Sequence, residues 1–398
     1  MKNSWKFKIY LLALISLLVG TSEFVLVGIL DKVADDVGIT VAAAGQLVTI
    51  FAVANAIGTP LIILATSKLK LNQRKLLILA LVFTVVGSLM TVLLPGFTLL
   101  MISRIVLALG MGLFIVTASS FAIKVAPHGH QASALATVAM GFSASLVLGV
   151  PIGRFISASY DWTMIFWAIA LLGLLAMFAI VKVIPVTEAE TPIPLTKQLG
   201  ILKNPKVTAL FLVTFFVFIG YGIFYTYVTP FINEVSPMSN TALSLTLLGF
   251  GLATLIGSRL GGFMSDRLGI NSTLFLGMTI NALALILLAT IAGSHAITVL
   301  LLLIWGTAAW TSGPTLQYNL VKIAPKSSGI ILSLSSSFIQ LGMASGAGIG
   351  GIAISQLDIQ SIAWIGAAAI LIGIVILIMS LKLSLFTRSQ SVSQSIGN

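Results

Sequence analysis

The sequence predicts an all-α integral membrane protein, with twelve transmembrane helices in two pseudo-symmetric six-helix bundles. Of the 398 residues, 58% are hydrophobic and only 8% are charged, whereas a soluble domain carries about 25% charged residues. The tetrapeptide Lys124–Pro127 recurs as Lys322–Pro325, 322 − 124 = 198 residues later. Ile152-Gly153 returns as Ile349-Gly350 after 349 − 152 = 197 residues. A repeat of half the chain in an apolar sequence indicates a duplicated membrane unit.

The apolar runs give the spans. About 20 apolar residues are enough to cross the hydrocarbon core as a helix, and a helix satisfies its own backbone polar groups in lipid. The first run continues past Leu30 without a cleavage site, which favours a retained span over a signal peptide. The predicted domains are a first bundle over 1–185, a cytoplasmic linker over 186–204 and a second bundle over 205–398. The twelve predicted spans lie near residues 8–30, 41–66, 74–95, 97–124, 131–158, 162–185, 205–233, 240–264, 270–292, 295–323, 327–355 and 359–385.

The loop charges predict the orientation. Basic residues are concentrated at the end of the bundle that carries both termini, which we term the basic end. The loops at the opposite end, termed the acidic end, have Lys32 as their only basic residue. The positive-inside rule therefore predicts a multi-pass protein of the cytoplasmic (inner) membrane with both termini in the cytoplasm. The net charge of +11 reflects this topology rather than nucleic-acid binding. The acidic end carries Asp31, Asp35, Asp36, Asp161, Glu234 and Asp358.

Two charged residues inside the spans are predicted at matching depth. Glu23 lies 30 − 23 = 7 residues from the acidic end of span 1, and Arg104 lies 104 − 97 = 7 residues from that end of span 4. At 1.5 Å per residue, each lies about 10 Å below the boundary. A charge at this depth costs about 2.5 kcal/mol or more and needs a partner. We predict that Glu23 exchanges a proton and that Arg104 is its fixed counter-charge; a permanent structural ion pair is the alternative.

Two further arginines lie nearer the ends of their spans. Arg154, near the acidic end of span 5, is expected to extend its guanidinium to the lipid headgroups. Arg259, near the basic end of span 8, is expected to join the charges of the loop that carries Asp266 and Arg267. Neither arginine is predicted to bind substrate.

Small residues recur in spans 5 and 11. Gly149, Pro151 and Gly153 of span 5 have counterparts in the glycine-rich stretch 342–351 of span 11. Small residues let helices approach closely, and a proline permits a bend. We predict that these positions take part in gating at the interface between the halves, with ordinary small-residue packing as the alternative.

Aromatic and amide side chains near the midplane form a candidate substrate cavity, because sites in duplicated transporters lie between the repeats. Aromatic walls with a few amides suit a neutral or weakly charged, planar or amphipathic ligand. The alternative is that these aromatic residues belong to interfacial belts or helix packing. The predicted substrate-binding residues are Tyr221, Tyr225, Trp310, Gln317, Gln340 and Asn55.

The sequence lacks the residue sets that enzyme catalysis, metal binding or phosphate binding would require. Cysteine is absent, and the three histidines lie in or beside loops. No catalytic set, metal-ligand set or phosphate-binding loop can be assembled from the sequence. We therefore expect no enzyme activity, no cofactor and no metal.

Four motifs resemble those of the major facilitator superfamily, and the resemblance extends over essentially the whole chain. The loop after span 8 has the Gly…Asp-Arg-x-Gly pattern, whereas Ser67 replaces the acid in the first half. Spans 1, 4 and 5 resemble the twelve-span drug:proton antiporter group. The motifs are Gly261…Asp266-Arg267-Leu-Gly269, Gly20-Thr-Ser-Glu23, Arg104…Gly110-Met-Gly112 and Gly149-Val-Pro151-Ile-Gly153.

The resemblance is closest to the sugar-efflux and purine-efflux branch, through Trp305-Gly306…Trp310 and Gln317. It implies proton-coupled export of small organic molecules, such as drugs, sugars, nucleobases or nucleosides, by alternating access. It also implies a gating role for Asp266 and Arg267. For the basic loop at the equivalent place in the first half, anchoring in anionic headgroups is the alternative. The expected partners are a small-molecule substrate, protons and the lipid bilayer, and the chain is expected to be a monomer. A passive facilitator and, less favoured, a lipid flippase or membrane-embedded enzyme are the rival functions.

Overall fold

The structure is a computed structural model that describes residues 4–68, 71–93, 96–127, 130–186, 200–323 and 328–396. Within these residues, twelve helical segments are long and apolar enough to cross a membrane, which confirms the predicted fold class. The long helices are Ser4–Gly28, Val41–Val53 continued by Thr59–Lys68, Gln73–Leu93, Phe97–Val125, Gln131–Ser159, Thr163–Val183, Pro205–Thr226, Asn240–Leu268, Ile270–Ile291, His295–Ile323, Ser328–Gln356 and Ser361–Ile396.

Spans 1 and 7 both break near the acidic end, although the sequence predicted them as continuous over 8–30 and 205–233. Span 1 ends at Gly28 and is followed by the short helix Leu30–Val37; span 7 ends at Thr226 and is followed by the short helix Val228–Val235. Both pairs of boundaries are offset by 198 residues, since 226 − 28 = 198 and 228 − 30 = 198. Spans 4 and 10 keep the same offset at both of their ends. The helices therefore repeat with the period seen in the sequence.

A hydrogen bond from outside the helix accompanies the break in span 1. The carbonyl oxygen of Val27 accepts a hydrogen bond from the hydroxyl of Thr229 at 3.0 Å. A carbonyl at a helix end has no partner in its own helix. Thr229 supplies that partner from the short helix after span 7.

Span 2 contains a second irregularity. Residues Ala54–Gly58 form a π-helical turn between two α-helical pieces. The side-chain amide of Asn55, in this turn, donates to the carbonyl oxygen of Ala108 in span 4 at 3.1 Å. Single π-helical turns inside α-helices are frequent at functional sites.

The described residues divide into two compact units. The described residues of the first unit lie within 1–192 and 225–251, and those of the second lie within 193–224 and 252–398. The segment 225–251 comes from the second half of the sequence but packs with the first six spans. The predicted division at a linker over 186–204 stays a prediction, since residues 187–199 of that linker lie outside the described residues.

Glycines bring spans 1 and 5 close together in the first unit. A Cβ atom on Gly141 of span 5 would overlap with the backbone carbonyl of Ala13 in span 1. Further along, Gly153 lies against the side chain of Val25. Close backbone approach through small residues is the usual way in which membrane helices associate.

The second unit uses the equivalent pair of spans. Gly342 of span 11 lies against the carbonyl oxygen of Phe215 in span 7, and Gly222 of span 7 lies against the backbone of Met343. Span 8 packs on span 10 in the same manner, and the hydroxyl of Thr311 donates to the carbonyl oxygen of Gly257 at 3.2 Å. The contact between spans 1 and 5 in the first unit thus corresponds to the contact between spans 7 and 11 in the second unit.

Candidate functional site

Arg104 is a buried charge in the first unit. Its side chain is 2% exposed, and its Nη1 donates to the carbonyl oxygen of Ser22 at 2.8 Å. Its Nη2 donates to the carbonyl oxygen of Glu23 at 3.3 Å. The ring of Phe51 in span 2 lies 4.6 Å from the guanidinium carbon, where the ring quadrupole attracts the cation.

Glu23 lies next to this arginine, as its predicted depth requires. Glu23 is half-buried, and its charge interacts electrostatically with that of Arg104. The structure therefore brings the two predicted residues together on spans 1 and 4. Their role in proton coupling stays a prediction.

The expectation that Arg154 reaches the lipid headgroups is wrong. Its Nη1 contacts both carboxylate oxygens of Asp31, at 2.6 and 2.7 Å, and its side chain is 4% exposed. Its Nη2 donates to Oδ1 of Asn240 at 3.2 Å, and Asp31 also accepts a hydrogen bond from Nδ2 of Asn233 at 3.0 Å. A carboxylate within reach satisfies the guanidinium better than an extension to the surface does.

The sequence does not predict this network, because Asp31 follows the predicted end of span 1 at residue 30 and is therefore expected in a loop. The short helix Leu30–Val37 keeps Asp31 beside span 5 instead. One feature of the sequence could have indicated the pair of Arg154 and Asp31: the arginine and the acidic residues after span 1 are all predicted near the acidic end. Asn233 and Asn240 carried no signal, because their partners lie in the other half of the sequence.

An aromatic cluster forms around Tyr221 in the second unit. The Tyr221 ring stacks on Trp305, with centroids 5.4 Å apart, and meets Trp310 edge-on at 6.3 Å. Nε1 of Trp310 donates to the Tyr221 hydroxyl at 3.4 Å, and Phe224 packs edge-on against Trp305 at 4.8 Å. Tyr221 and Trp310, both predicted from the sequence, are therefore in direct contact, and Trp305 completes the group.

The other predicted substrate residues lie elsewhere. Tyr225 stacks on Phe250 at 5.8 Å, within the first unit, and is 1% exposed. Gln317 and Gln340 are half-buried on spans 10 and 11. Asn55 belongs to the π-helical turn of span 2 and bonds to span 4.

The predicted gating residues fall at two places. In span 5, Gly149 lies against Thr21 of span 1, and the helix continues through the buried Pro151 to Ser159. These contacts direct the glycines of span 5 towards span 1; an additional contact with span 11 stays a prediction.

At the basic end, Asp266 and Arg267 are exposed. Arg267 lies over the ring of Phe263 at 4.6 Å. Asp266 borders a groove that is also lined by Asn271, Asn319 and Lys322. Their gating role stays a prediction.

Glu23 and Tyr221 occupy equivalent positions in the repeat, since 221 − 23 = 198. Glu23 faces span 4 through Arg104, and Tyr221 faces the repeat-related span 10 through Trp305 and Trp310. One repeat thus has a charged pair where the other has an aromatic cluster. This division separates a candidate coupling site from a candidate substrate wall.

Comparison with known proteins decides the family. The family model of the Major Facilitator Superfamily matches residues 12–334. The chain belongs to the major facilitator superfamily. It is 44% identical over 375 residues to the uncharacterized MFS-type transporter YbcL of Bacillus subtilis strain 168, and the match covers 94% of this chain and 95% of that protein.

Two solved structures share the fold of this chain. A bacterial homologue of the human lysosomal transporter Spinster, in an inward-facing and unoccupied conformation, matches with a TM-score of 0.74 and covers 96% of both chains. The occupied inward-facing form matches with a TM-score of 0.76 and covers 96% of this chain and 98% of that one. Both are 16% identical in sequence, so the likeness concerns the fold.

Family membership and the transporter relative together identify a multi-pass membrane transporter and not an enzyme. Superfamily members bind small-molecule substrates and lie in the lipid bilayer. This confirms the predicted superfamily and the general function.

Proposed function

We propose that this transporter exports small organic molecules in exchange for protons, by alternating access in the cytoplasmic membrane. The observation that carries the proposal is the burial of Arg104 against the turn of span 1 that holds Glu23. A buried arginine beside a single carboxylate is an expensive arrangement in a membrane. Proton exchange at Glu23 gives that arrangement a function.

The mechanism depends on the different chemistry of the two side chains. Glu23 changes its charge when it binds a proton, whereas an arginine remains charged in proteins. Protonation of Glu23 from the outside weakens its attraction to Arg104 and favours one orientation of the two halves. Release of the proton to the cytoplasm restores the attraction and resets the transporter.

The aromatic cluster supports a neutral or weakly charged, planar or amphipathic substrate. Trp310 is half-buried and offers apolar ring surface, while Tyr221 and Trp305, which are 4% and 0% exposed, stack behind it, and the Tyr221 hydroxyl holds Trp310 in place. Drugs, sugars and nucleobases or nucleosides are the classes that we propose, in line with the resemblance to the drug:proton antiporter group and its sugar-efflux and purine-efflux branch.

We further propose that the acidic end faces the outside, since the basic loops favour cytoplasmic termini. At the basic end, Asp266 and Arg267 act as a gate. Gly149, Pro151 and Gly153 allow span 5 to slide and bend against span 1 during the transition. The chain works as a monomer of two six-helix halves.

A passive facilitator is the second candidate, and one observation favours it. Both hydrogen bonds described for Arg104 reach backbone carbonyls of span 1. Such bonds are independent of the protonation of Glu23 and suit a lock between spans 1 and 4. In that case Glu23 and Arg104 stabilise the fold and carry no proton.

Proteoliposomes with a trapped pH-sensitive dye separate the two candidates. The panel contains ethidium, arabinose and hypoxanthine, as representatives of drugs, sugars and nucleobases. The antiporter predicts that at least one compound moves only together with a change in internal pH, and that its transport stops when the gradient is collapsed. Saturable transport that is indifferent to a collapsed gradient identifies the facilitator.

A further inference from the structure

We propose that Arg154, Asp31, Asn233 and Asn240 form a latch at the acidic end, which must open each time that end opens during transport. We term these four residues the Arg154 latch. The inference rests on the proposed alternating-access function and concerns residues outside the Glu23–Arg104 pair. It assigns a conformational role to the ion pair of Arg154 and Asp31.

The geometry of the latch is that of a strong polar contact. Nη1 of Arg154 lies 2.6 and 2.7 Å from the two oxygens of Asp31. Charge-assisted bonds of this kind are short and about twice as strong as neutral ones. The amide of Asn233 donates to the same carboxylate, and the amide oxygen of Asn240 accepts from Nη2 of the arginine.

The partners come from opposite halves of the sequence. Asp31 follows span 1 and Arg154 belongs to span 5, both in the first half. Asn233 follows span 7 and Asn240 begins span 8, both in the second half. A fifth residue, Thr229, donates to the carbonyl oxygen of Val27 across the same junction. All of these contacts lie within the first unit, and they hold the segment 225–251 against the first six spans.

Burial makes the latch sensitive to the loss of one member. The side chains of Arg154 and Asp31 are 4% and 18% exposed. Removal of one partner from a largely buried pair leaves the other charge without compensation. Replacement of Asp31 by an amide therefore weakens the closed arrangement far more than replacement of a surface acid does.

The partial exposure of Asp31 also makes the latch reversible. Water can reach the carboxylate from the acidic end and take over its hydrogen bonds when the segments separate. Polar contacts of this type exchange for water with a small net change in free energy. A tightly packed apolar seal lacks this property, because separation exposes apolar surface.

A single-thiol reporter tests the latch directly, since the chain contains no cysteine. Thr229 is fully buried at the junction, so Thr229→Cys reports its opening through the rate of reaction with a hydrophilic maleimide. The full-length protein is held in lipid nanodiscs, which expose both ends. Thr241→Cys, at an exposed position of the same segment, corrects for the reactivity of an accessible thiol.

Within the Thr229→Cys background, Asp31→Asn and Arg154→Gln are expected to raise the labelling rate about tenfold, as a loss of about 1.4 kcal/mol of closing free energy requires. The matched control is Asp36→Asn, which removes an acid from the same short helix. Asp36 accepts from Nε1 of Trp162 at 3.0 Å, and both residues belong to the first half. The control is expected to leave the rate unchanged.

Arg154→Lys keeps the charge but loses the planar fork, and it provides the test if Arg154→Gln fails to fold. An intermediate rate for this variant supports the latch. Unchanged labelling in Asp31→Asn and in the arginine variant overturns it, and so does an equal rise in Asp36→Asn. Labelling requires neither substrate nor a pH gradient. The labelling experiment can therefore contradict the latch without contradicting proton-coupled transport, and the transport experiment can contradict proton coupling without contradicting the latch.

Discussion

Arg104 is bound to the backbone of the helical turn that carries Glu23. Its guanidinium donates to the carbonyl oxygens of Ser22 and Glu23, at 2.8 and 3.3 Å. These two bonds keep the positive charge in place whichever charge Glu23 carries. The carboxyl can thus change its protonation state while the cation stays bound to the same helical turn.

The geometry of Arg104 predicts that lysine cannot replace it. Arg104→Lys keeps the positive charge, but a compact ammonium cannot reach both carbonyls and cover the ring of Phe51 at the same time. We expect proton-coupled transport of the active panel compound to fall about tenfold, equivalent to about 1.4 kcal/mol. Initial rates in proteoliposomes measure this effect.

The matched control for that substitution is Arg259→Lys, an identical change at an exposed arginine of span 8. It is expected to leave the rate within a factor of about two. Equal losses of transport rate in both variants would mean that the planar guanidinium at position 104 has no special role.

The aromatic cluster predicts a non-additive pair of substitutions. Tyr221→Phe and Trp310→Phe each remove the hydrogen bond from Nε1 of Trp310 to the Tyr221 hydroxyl. If this bond orients the substrate wall, each variant should raise the apparent Kd of the transported compound about fivefold, for a loss of about 1 kcal/mol. The double variant should bind no more weakly than the single variants, because residues that share one interaction are not additive.

Equilibrium binding of the labelled compound to detergent-solubilised protein gives these constants. Phe178→Leu serves as a control, since Phe178 is 60% exposed and lies on span 6, in the other unit. Fully additive effects of the two cluster variants would show that Tyr221 and Trp310 act separately.

The contact of spans 1 and 5 predicts a large effect from one methyl group. Gly141→Ala places a Cβ atom against the backbone carbonyl of Ala13, so the helices must separate. Overpacking of this kind destabilises by about 1–3 kcal/mol. We expect a lower midpoint of thermal unfolding in detergent.

Gly262→Ala is the matched control, because it also lies in a membrane helix but has nothing within 4 Å of its added Cβ. Alanine favours the helix by about 1 kcal/mol over glycine, so this variant should be as stable as the parent or more so. A Gly141→Ala protein that unfolds no earlier than the Gly262→Ala protein would contradict the close packing of spans 1 and 5.

The spans were predictable from the sequence because segments of about 20 predominantly apolar residues partition into a bilayer. The pairing of Glu23 with Arg104 was also accessible, since equal depth on two spans follows from counting residues at 1.5 Å each. The offset of 198 predicted the repeat, and the breaks after Gly28 and Thr226 keep this offset.

The Arg154 latch could not be predicted, because it depends on contacts between residues 86 to 202 positions apart. Counting residues places Arg154 near the membrane boundary but does not identify the carboxylate that faces it. The break at Ile29 precedes the short helix that carries Asp31, and it is accompanied by a hydrogen bond from Thr229 in the second half. Tertiary contacts of this kind leave no local pattern in the sequence.

Glu23→Gln is the most direct test of the central claim, because glutamine keeps the size and polarity of the side chain but cannot exchange the proton. In proteoliposomes with an imposed pH gradient, the proton-coupled account predicts that uptake of the active panel compound falls to the level seen without a gradient. Exchange of labelled for unlabelled compound continues, and Asp36→Asn retains gradient-driven uptake. Gradient-driven uptake that survives Glu23→Gln undiminished would contradict the account.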